Sequence, residues 1–192
     1  MDSYHDSVGL SDKVPGNIAL VGMMGSGKTS VGKVLARLLG KSFVDSDHEI
    51  ERSTGVRIPV IFEIEGETGF RARECKMIEE LARRENIVLA TGGGAVLSDV
   101  NRRLLKAGGT VIYLHAPVRS LLKRTMRDRN RPLLQVADPA ARFQSLYEQR
   151  DPLYREVAHL VVDTGNQSVR SLAGQIEAKL KDYFAGASTV TN

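Results

Sequence analysis

Gly22-Met23-Met24-Gly25-Ser26-Gly27-Lys28-Thr29 fills every constrained position of the phosphate-binding pattern G-x-x-x-x-G-K-[ST]. The glycines let successive backbone N–H groups curl around a polyphosphate without Cβ clashes. Lys28 then reaches the β- and γ-phosphates, and the Thr29 hydroxyl becomes a ligand for Mg²⁺. Asn17–Val21 just before the loop reads as a short buried strand. Val31, Val34, Leu35, Leu38 and Leu39 just after it recur at helical spacing until Gly40. Strand, glycine loop and helix are the required setting, because the helix N-terminus adds its dipole to the anion site. The stretch predicts a nucleoside triphosphate ligand, cradled by Gly25, Ser26, Gly27, Lys28, Thr29 and Ser30.

A second set of polar residues stands at other strand ends. The apolar run Ile87–Thr91 carries no acid and leads into Gly92-Gly93-Gly94, whereas Ser42–Asp45 supplies Asp45 and, two residues on, Asp47. Residues i and i+2 leaving a strand point the same way, so both carboxylates are expected to face the γ-phosphate. One then holds the water shell of the metal and the other accepts a hydrogen bond from a substrate hydroxyl. The competing reading is an Asx-type turn with Asp47 capping a helix. The three glycines form either a tight turn or a place where a ligand meets bare backbone amides.

Two arginines stand out by placement. Arg71 lies on a helix whose Phe70, Met77, Ile78 and Leu81 face the core, with Glu74 one turn later. A guanidinium oriented by that carboxylate suits bidentate capture of a substrate carboxylate; an i,i+3 surface pair is the alternative. Arg150, just before Asp151-Pro152, is either a second such clamp or a solvated helix-end charge. The run Lys123–Arg131 is strongly basic and precedes Pro132-Leu133-Leu134. It is a solvated face or, in a phosphate-transfer enzyme, a loop from about Arg124 to Pro139 that closes over the nucleotide. No aromatic residues interleave the arginines, which argues against nucleic acid as a partner. His5, His48, His115 and His159 share no metal-ligand spacing.

The elements that must position these groups alternate. Short helices are expected at 47–53 and 58–64, a longer one at 67–84, and further helices from Ser98 or Asp99 to Gly108, from Pro117 to about 127, from Pro139 to about 156, and at 168–184. Strands at 110–114 and 159–162 complete the pattern. Strands separated by helices mean βαβ units and a doubly wound parallel sheet, with ligands beyond the carboxyl ends of the strands.

Composition bounds the rest. The 192 residues, 42% hydrophobic, fit one domain with a real core. No apolar run is long enough to span a membrane, and residues 1–15, with Asp2, Asp6 and Asp12, read as a loose tail without a signal-like core. The single cysteine, Cys75, predicts a reducing, cytoplasmic setting. A net charge of +4 suits an anionic ligand as well as it suits nucleic acid.

Taken together these motifs resemble the shikimate kinase family. Gly22–Thr29, Asp45-Ser46-Asp47, Phe62-Glu63 with Gly66-Glu67, Gly69-Phe70-Arg71, Gly92-Gly93-Gly94, Arg131-Pro132-Leu133-Leu134 and Arg150-Asp151-Pro152-Leu153-Tyr154 occur in that family's order across roughly residues 16–180. The resemblance implies an α/β fold, a P-loop kinase with a five-stranded parallel sheet flanked by helices on both faces and a mobile lid, occupying residues 16–184 between two tails. It implies transfer of the γ-phosphoryl of ATP to the 3-hydroxyl of shikimate, with Mg²⁺, by a monomer serving aromatic amino acid biosynthesis. By resemblance, Lys28, Asp47 and Arg131 are catalytic, Thr29 and Asp45 serve the metal, and Arg71, Gly93 and Arg150 join Asp47 in holding shikimate. Arg124 is expected to stack on adenine and Arg131 to reach the phosphates from the lid. Gln167 replaces the basic or proline-containing adenine loop common in the family.

Two other readings remain at this point. A gluconate-type sugar-acid kinase shares the phosphate loop, but not the Asp-x-Asp, Phe-Arg and triple glycine as a set. A nucleotide-dependent binding protein would not require Asp47, Arg71 and Arg150 together.

Overall fold

The computed structural model describes residues 14–125 and 132–188. Five strands form one parallel sheet: β1 (Asn17–Val21), β2 (Ser42–Asp45), β3 (Ile87–Ala90), β4 (Gly109–His115) and β5 (Leu160–Asp163), in the order β2-β3-β1-β4-β5. The register pairs Leu20 with Ala90 and with Ile112, Asp45 with Ala90, and His115 with Asp163. The carboxyl ends of all five strands therefore meet at one edge, and β1 at the centre delivers the phosphate loop there.

Helices α1 (Lys28–Leu39) and α7 (Val169–Ser188) cover one face of the sheet. The other face lies under α3 (Ile58–Ala82), α4 (Asp99–Gly108), α5 (Val118–Thr125) and α6 (Pro139–Val157). Each face buries its own apolar cluster, one around Ile18, Leu20, Leu35 and Ile176, the other around Val21, Met23, Ile78 and Phe143. Full burial of such side chains contributes roughly 1.5–3 kcal/mol each. Close packing of α1 depends on Gly32, where a Cβ would lie 2.6 Å from the Phe43 ring.

Several boundaries differ from the sequence reading. The helix predicted to begin at Asp47 is α2 (Ser46–Thr54), and its N-cap is Asp45, which accepts from the Asp47 and His48 N–H groups. The predicted helices 58–64 and 67–84 form the single run α3, broken only at Gly66 (φ 68°, ψ −175°) and ending at Ala82. The last helix continues to Ser188 rather than 184, and Val14, assigned to the tail, is buried against Leu20 and Leu35. Residues 126–131 of the proposed lid, Arg131 among them, lie outside the described residues. The following turn, Pro132–Leu134, is anchored through Leu133 and Leu134, which pack on the larger core.

Candidate active site

A cleft of about 830 Å³ opens at the carboxyl edge of the sheet. One end is the phosphate loop. Gly22, Gly25 and Gly27 have φ of 145°, 79° and 91°, and a Cβ at Gly25 would collide with Thr125 Oγ1 at 2.6 Å. Gly27 caps α1 without a side-chain hydrogen bond, which leaves the first N–H groups of that helix turned toward the loop. Lys28 is buried and its ammonium donates to the Gly22 and Met23 carbonyls at 2.7 and 2.9 Å. The lysine thus folds back over its own loop, at the place where phosphate oxygens would replace the carbonyls. Ser26 is buried beside it, while Thr29 and Ser30 are exposed at the mouth.

The Thr29 hydroxyl donates to Asp45 Oδ2 at 2.8 Å, and Asp45 Oδ1 caps α2. A hydroxyl and a carboxylate side by side at the phosphate mouth are the hard oxygen donors that suit Mg²⁺, which keeps most of its water and takes few protein ligands. Among the described residues no group of three or more His, Cys, Asp or Glu side chains forms a self-contained metal cage. Asp45 and Asp47 both line the cleft. They do so for a different reason than strand alternation: the chain turns into α2 at Ser46, and Asp47 arrives on the first helical turn.

On the nucleotide side, Arg124 donates to Gly165 O at 3.0 Å and to Gly25 O at 3.4 Å, joining the phosphate loop to the β5–α7 connection. Gln167 is exposed and its amide pairs with Gln175 and Ser171 of α7.

The acceptor end is built from side chains. Arg71 donates to Glu74 Oε2 at 2.7 Å and to Glu67 at 3.0 Å, and lies over the Phe70 ring. Glu74, 1% exposed, is no surface partner: it sits under the glycine turn with Oε1 lacking a hydrogen-bond partner. Burial pushes its carboxyl above the usual range despite Arg71. Arg150 is not a helix-end charge. It lies inside α6, 1% exposed, with Nε unpartnered, and burial together with the facing Arg71 disfavours its charge. Two guanidinium groups therefore face one cleft, Arg71 paired with Glu74 and Glu67, and Arg150 buried with its Nε unpartnered.

The glycine turn also has a reason the sequence did not disclose. None of Gly92, Gly93 and Gly94 has positive φ. A Cβ at Gly92 would lie 2.6 Å from both Asp47 Oδ1 and Glu74 Oε1, and one at Gly94 would overlap the Arg71 guanidinium. Two of the three glycines thus make room for the protein's own charged side chains. A Cβ at Gly93 would meet the phosphate loop at ordinary contact distance, 3.4 Å from Met24 N and 3.6 Å from Gly22 O, with Arg150 Nη1 at 3.8 Å, and the Gly93 N–H has no acceptor among the described residues.

The sequence reading named Glu74 only as the carboxylate orienting Arg71, and it gave Ser46 and Tyr154 no role. For Glu74 a signal existed: a carboxylate four residues after Phe70 and three before Met77 lies on the apolar stripe of its helix. Ser46 and Tyr154 carried none, because their partners are remote in sequence.

A family model described as shikimate kinase matches residues 24–181. A shikimate kinase of Nitrosomonas europaea is 59% identical over 168 residues, 88% of this chain and 80% of that protein. The solved structure of a shikimate kinase from Acinetobacter baumannii in complex with shikimate superposes with a TM-score of 0.83 at 56% identity, covering 84% of this chain and 90% of that one. A gluconokinase from Sinorhizobium meliloti shares only the fold, with a TM-score of 0.58 at 19% identity over 94% of this chain and 99% of its own. The chain belongs to the shikimate kinase family.

Proposed function

We propose that this protein transfers the γ-phosphoryl group of ATP to the 3-hydroxyl of shikimate, giving shikimate 3-phosphate and ADP. The observation that carries the reading is the pair of guanidinium groups, Arg71 and Arg150, that face one cleft beside a phosphate loop. A carboxylate entering between them supplies countercharge and forms charge-assisted hydrogen bonds. Shikimate has that carboxylate, and hydroxyls for Asp47 and the Gly93 N–H.

The chemistry follows from this seating. The 3-hydroxyl oxygen attacks the γ-phosphorus, the bond to the β,γ-bridging oxygen breaks, and ADP leaves with that oxygen. Asp47 accepts the proton of the attacking hydroxyl. Lys28 leaves its loop carbonyls to neutralise phosphate charge that builds toward the transition state. Thr29 and Asp45 would hold Mg²⁺, which supplies charge neutralisation at the phosphates when bound. Arg124 is assigned to stack on adenine, a reading supported by its hydrogen bonds to Gly25 O and Gly165 O. The role proposed for Arg131 at the γ-phosphate rests on the sequence motif, and Gln167 is assigned to the adenine edge. No helix among the described residues is long and apolar enough to cross a membrane; a cytoplasmic monomer completes the proposal.

A coupled assay of ADP release, run with shikimate, with gluconate and with neither, tests the reading. ADP release that depends on shikimate is expected. Release that gluconate stimulates instead, or that no acceptor stimulates, overturns it.

A further inference from the structure

Of the four peptide units of the glycine turn, three are held at one atom and the last, Gly94–Ala95, at both. Gly92 N–H donates to Ser46 Oγ at 2.9 Å, and the Gly92 carbonyl accepts from Ala95 N–H at 3.1 Å. The Gly93 carbonyl accepts from the Tyr154 hydroxyl, and the Gly94 carbonyl accepts from Leu97 N–H at 3.0 Å. Ala95 and Leu97 belong to the turn itself, so Ser46 and Tyr154 are its long-range anchors. The Gly93 and Gly94 N–H groups have no acceptor among the described residues. A trans peptide is planar with its C=O and N–H opposed. Holding the Gly93 carbonyl on the α6 side therefore aims the Gly94 N–H away from α6.

Tyr154 also reaches the other end of the cleft. It is fully buried, and its hydroxyl lies 3.6 Å from Met23 Sδ in the phosphate loop. Its ring packs on Tyr113 with centroids 4.9 Å apart, and Tyr113 Cδ2 lies 3.5 Å from the Cβ position of Gly22. Arg150 precedes it by one turn of α6. Burial pushes the phenol pKa up, so the hydroxyl keeps its proton and remains a donor.

We infer that Tyr154, backed by Ser46, is a positioning residue that sets the Gly93–Gly94 peptide at a fixed distance from the phosphate loop. The acceptor amides and the donor phosphates then keep one spacing. Misplacing reacting groups by about 1 Å can cost on the order of 10²-fold in rate. What the amides hold rests on the shikimate reading above; the geometry of the turn does not.

Tyr154→Phe removes one oxygen and keeps the ring. We expect the KM for shikimate to rise roughly tenfold, the loss of one buried hydrogen bond, with the KM for ATP unchanged. Hydrogen exchange at Gly92 and Ala95, whose N–H groups are hydrogen-bonded in the turn, should accelerate by about tenfold or more when measured without any substrate. A variant with a lowered melting temperature but wild-type shikimate KM and exchange would mean that the tyrosine only packs, and overturns the inference. If Tyr154→Phe does not fold, Ser46→Ala serves in its place: it releases the neighbouring peptide and should give the same KM split, and wild-type values there also overturn the proposal. A wild-type enzyme that ignores shikimate refutes the function instead, and the exchange measurement still decides the role of Tyr154.

Discussion

The two ends of the cleft are built by opposite means. The donor end is contiguous chain, Gly22 to Thr29, whose backbone N–H groups and helix N-terminus make the anion site and whose lysine is satisfied by its own carbonyls. The acceptor end gathers Asp47 from α2, Arg71 and Glu74 from α3, Gly93 from the turn after β3 and Arg150 from α6. There the charges are buried, with Glu74 pushed toward its neutral form and Arg150 disfavoured as a cation. A backbone-built site stays near its working shape without ligand. A side-chain-built site holds uncompensated charge that an anionic substrate relieves.

Mutations should separate the two ends. The largest effect belongs to Lys28→Ala, which should lower kcat by on the order of 10³-fold or more, because it removes charge from the developing transition state. Shikimate binding, followed by calorimetry without nucleotide, should hardly change. Turnover near the wild-type value would break the donor half of the comparison.

Arg150→Leu should weaken shikimate binding by roughly 2–4 kcal/mol and leave ATP binding as it is. Because the replaced charge is buried and incompletely paired, folding stability should stay level or rise. Calorimetry in which ATP affinity falls while shikimate affinity holds would contradict the assignment of this end. Gly92→Ala sharpens the same point with a single methyl group. Its Cβ, 2.6 Å from both Asp47 Oδ1 and Glu74 Oε1, must displace both. Overpacking of that kind costs roughly 1–3 kcal/mol, and it should appear in the shikimate KM and in stability, not in the ATP KM.

The smallest effect is a pH dependence. The folded pKa of Glu74 lies above its ordinary 4.5 because burial outweighs Arg71. The folded state therefore holds this proton more tightly than the unfolded chain. Its contribution to stability is complete below about pH 4.5 and is lost as pH rises through the folded value, at no more than about 1.4 kcal/mol per pH unit. Glu74→Gln cannot titrate, so urea melts should show the variant gaining on wild type between pH 4 and the folded value. A stability difference that stays flat with pH would show that the carboxyl is ordinary, and that the acceptor end is less loaded than described.

How much could be read beforehand follows the same division. The phosphate loop, the strands and the doubly wound pattern were legible because they depend on neighbours in sequence: glycine spacing, apolar periodicity, caps. Asp47 and Arg71 were proposed from spacing and placement with a plainer alternative beside each, Arg150 was left open between a clamp and a solvated charge, and the resemblance gave all three their shikimate roles. The burial of Glu74 and the anchors Ser46 and Tyr154 were not visible. The hydrogen bond from Tyr154 to Gly93 spans 61 residues, and that from Gly92 to Ser46 spans 46.

By itself the sequence determined a phosphate-loop pattern at a strand–loop–helix junction within a parallel α/β sheet, since those properties are encoded over a few residues or one helical period. Tertiary structure alone decided that Asp45 caps α2 while facing Thr29, that two of the three glycines clear space for Asp47, Glu74 and Arg71, and that Arg150 is buried rather than solvated. The reason is physical. Burial, and with it charge state and steric room, depends on which remote helices cover a residue, and that is settled only when α2, α3 and α6 close over the same end of the sheet.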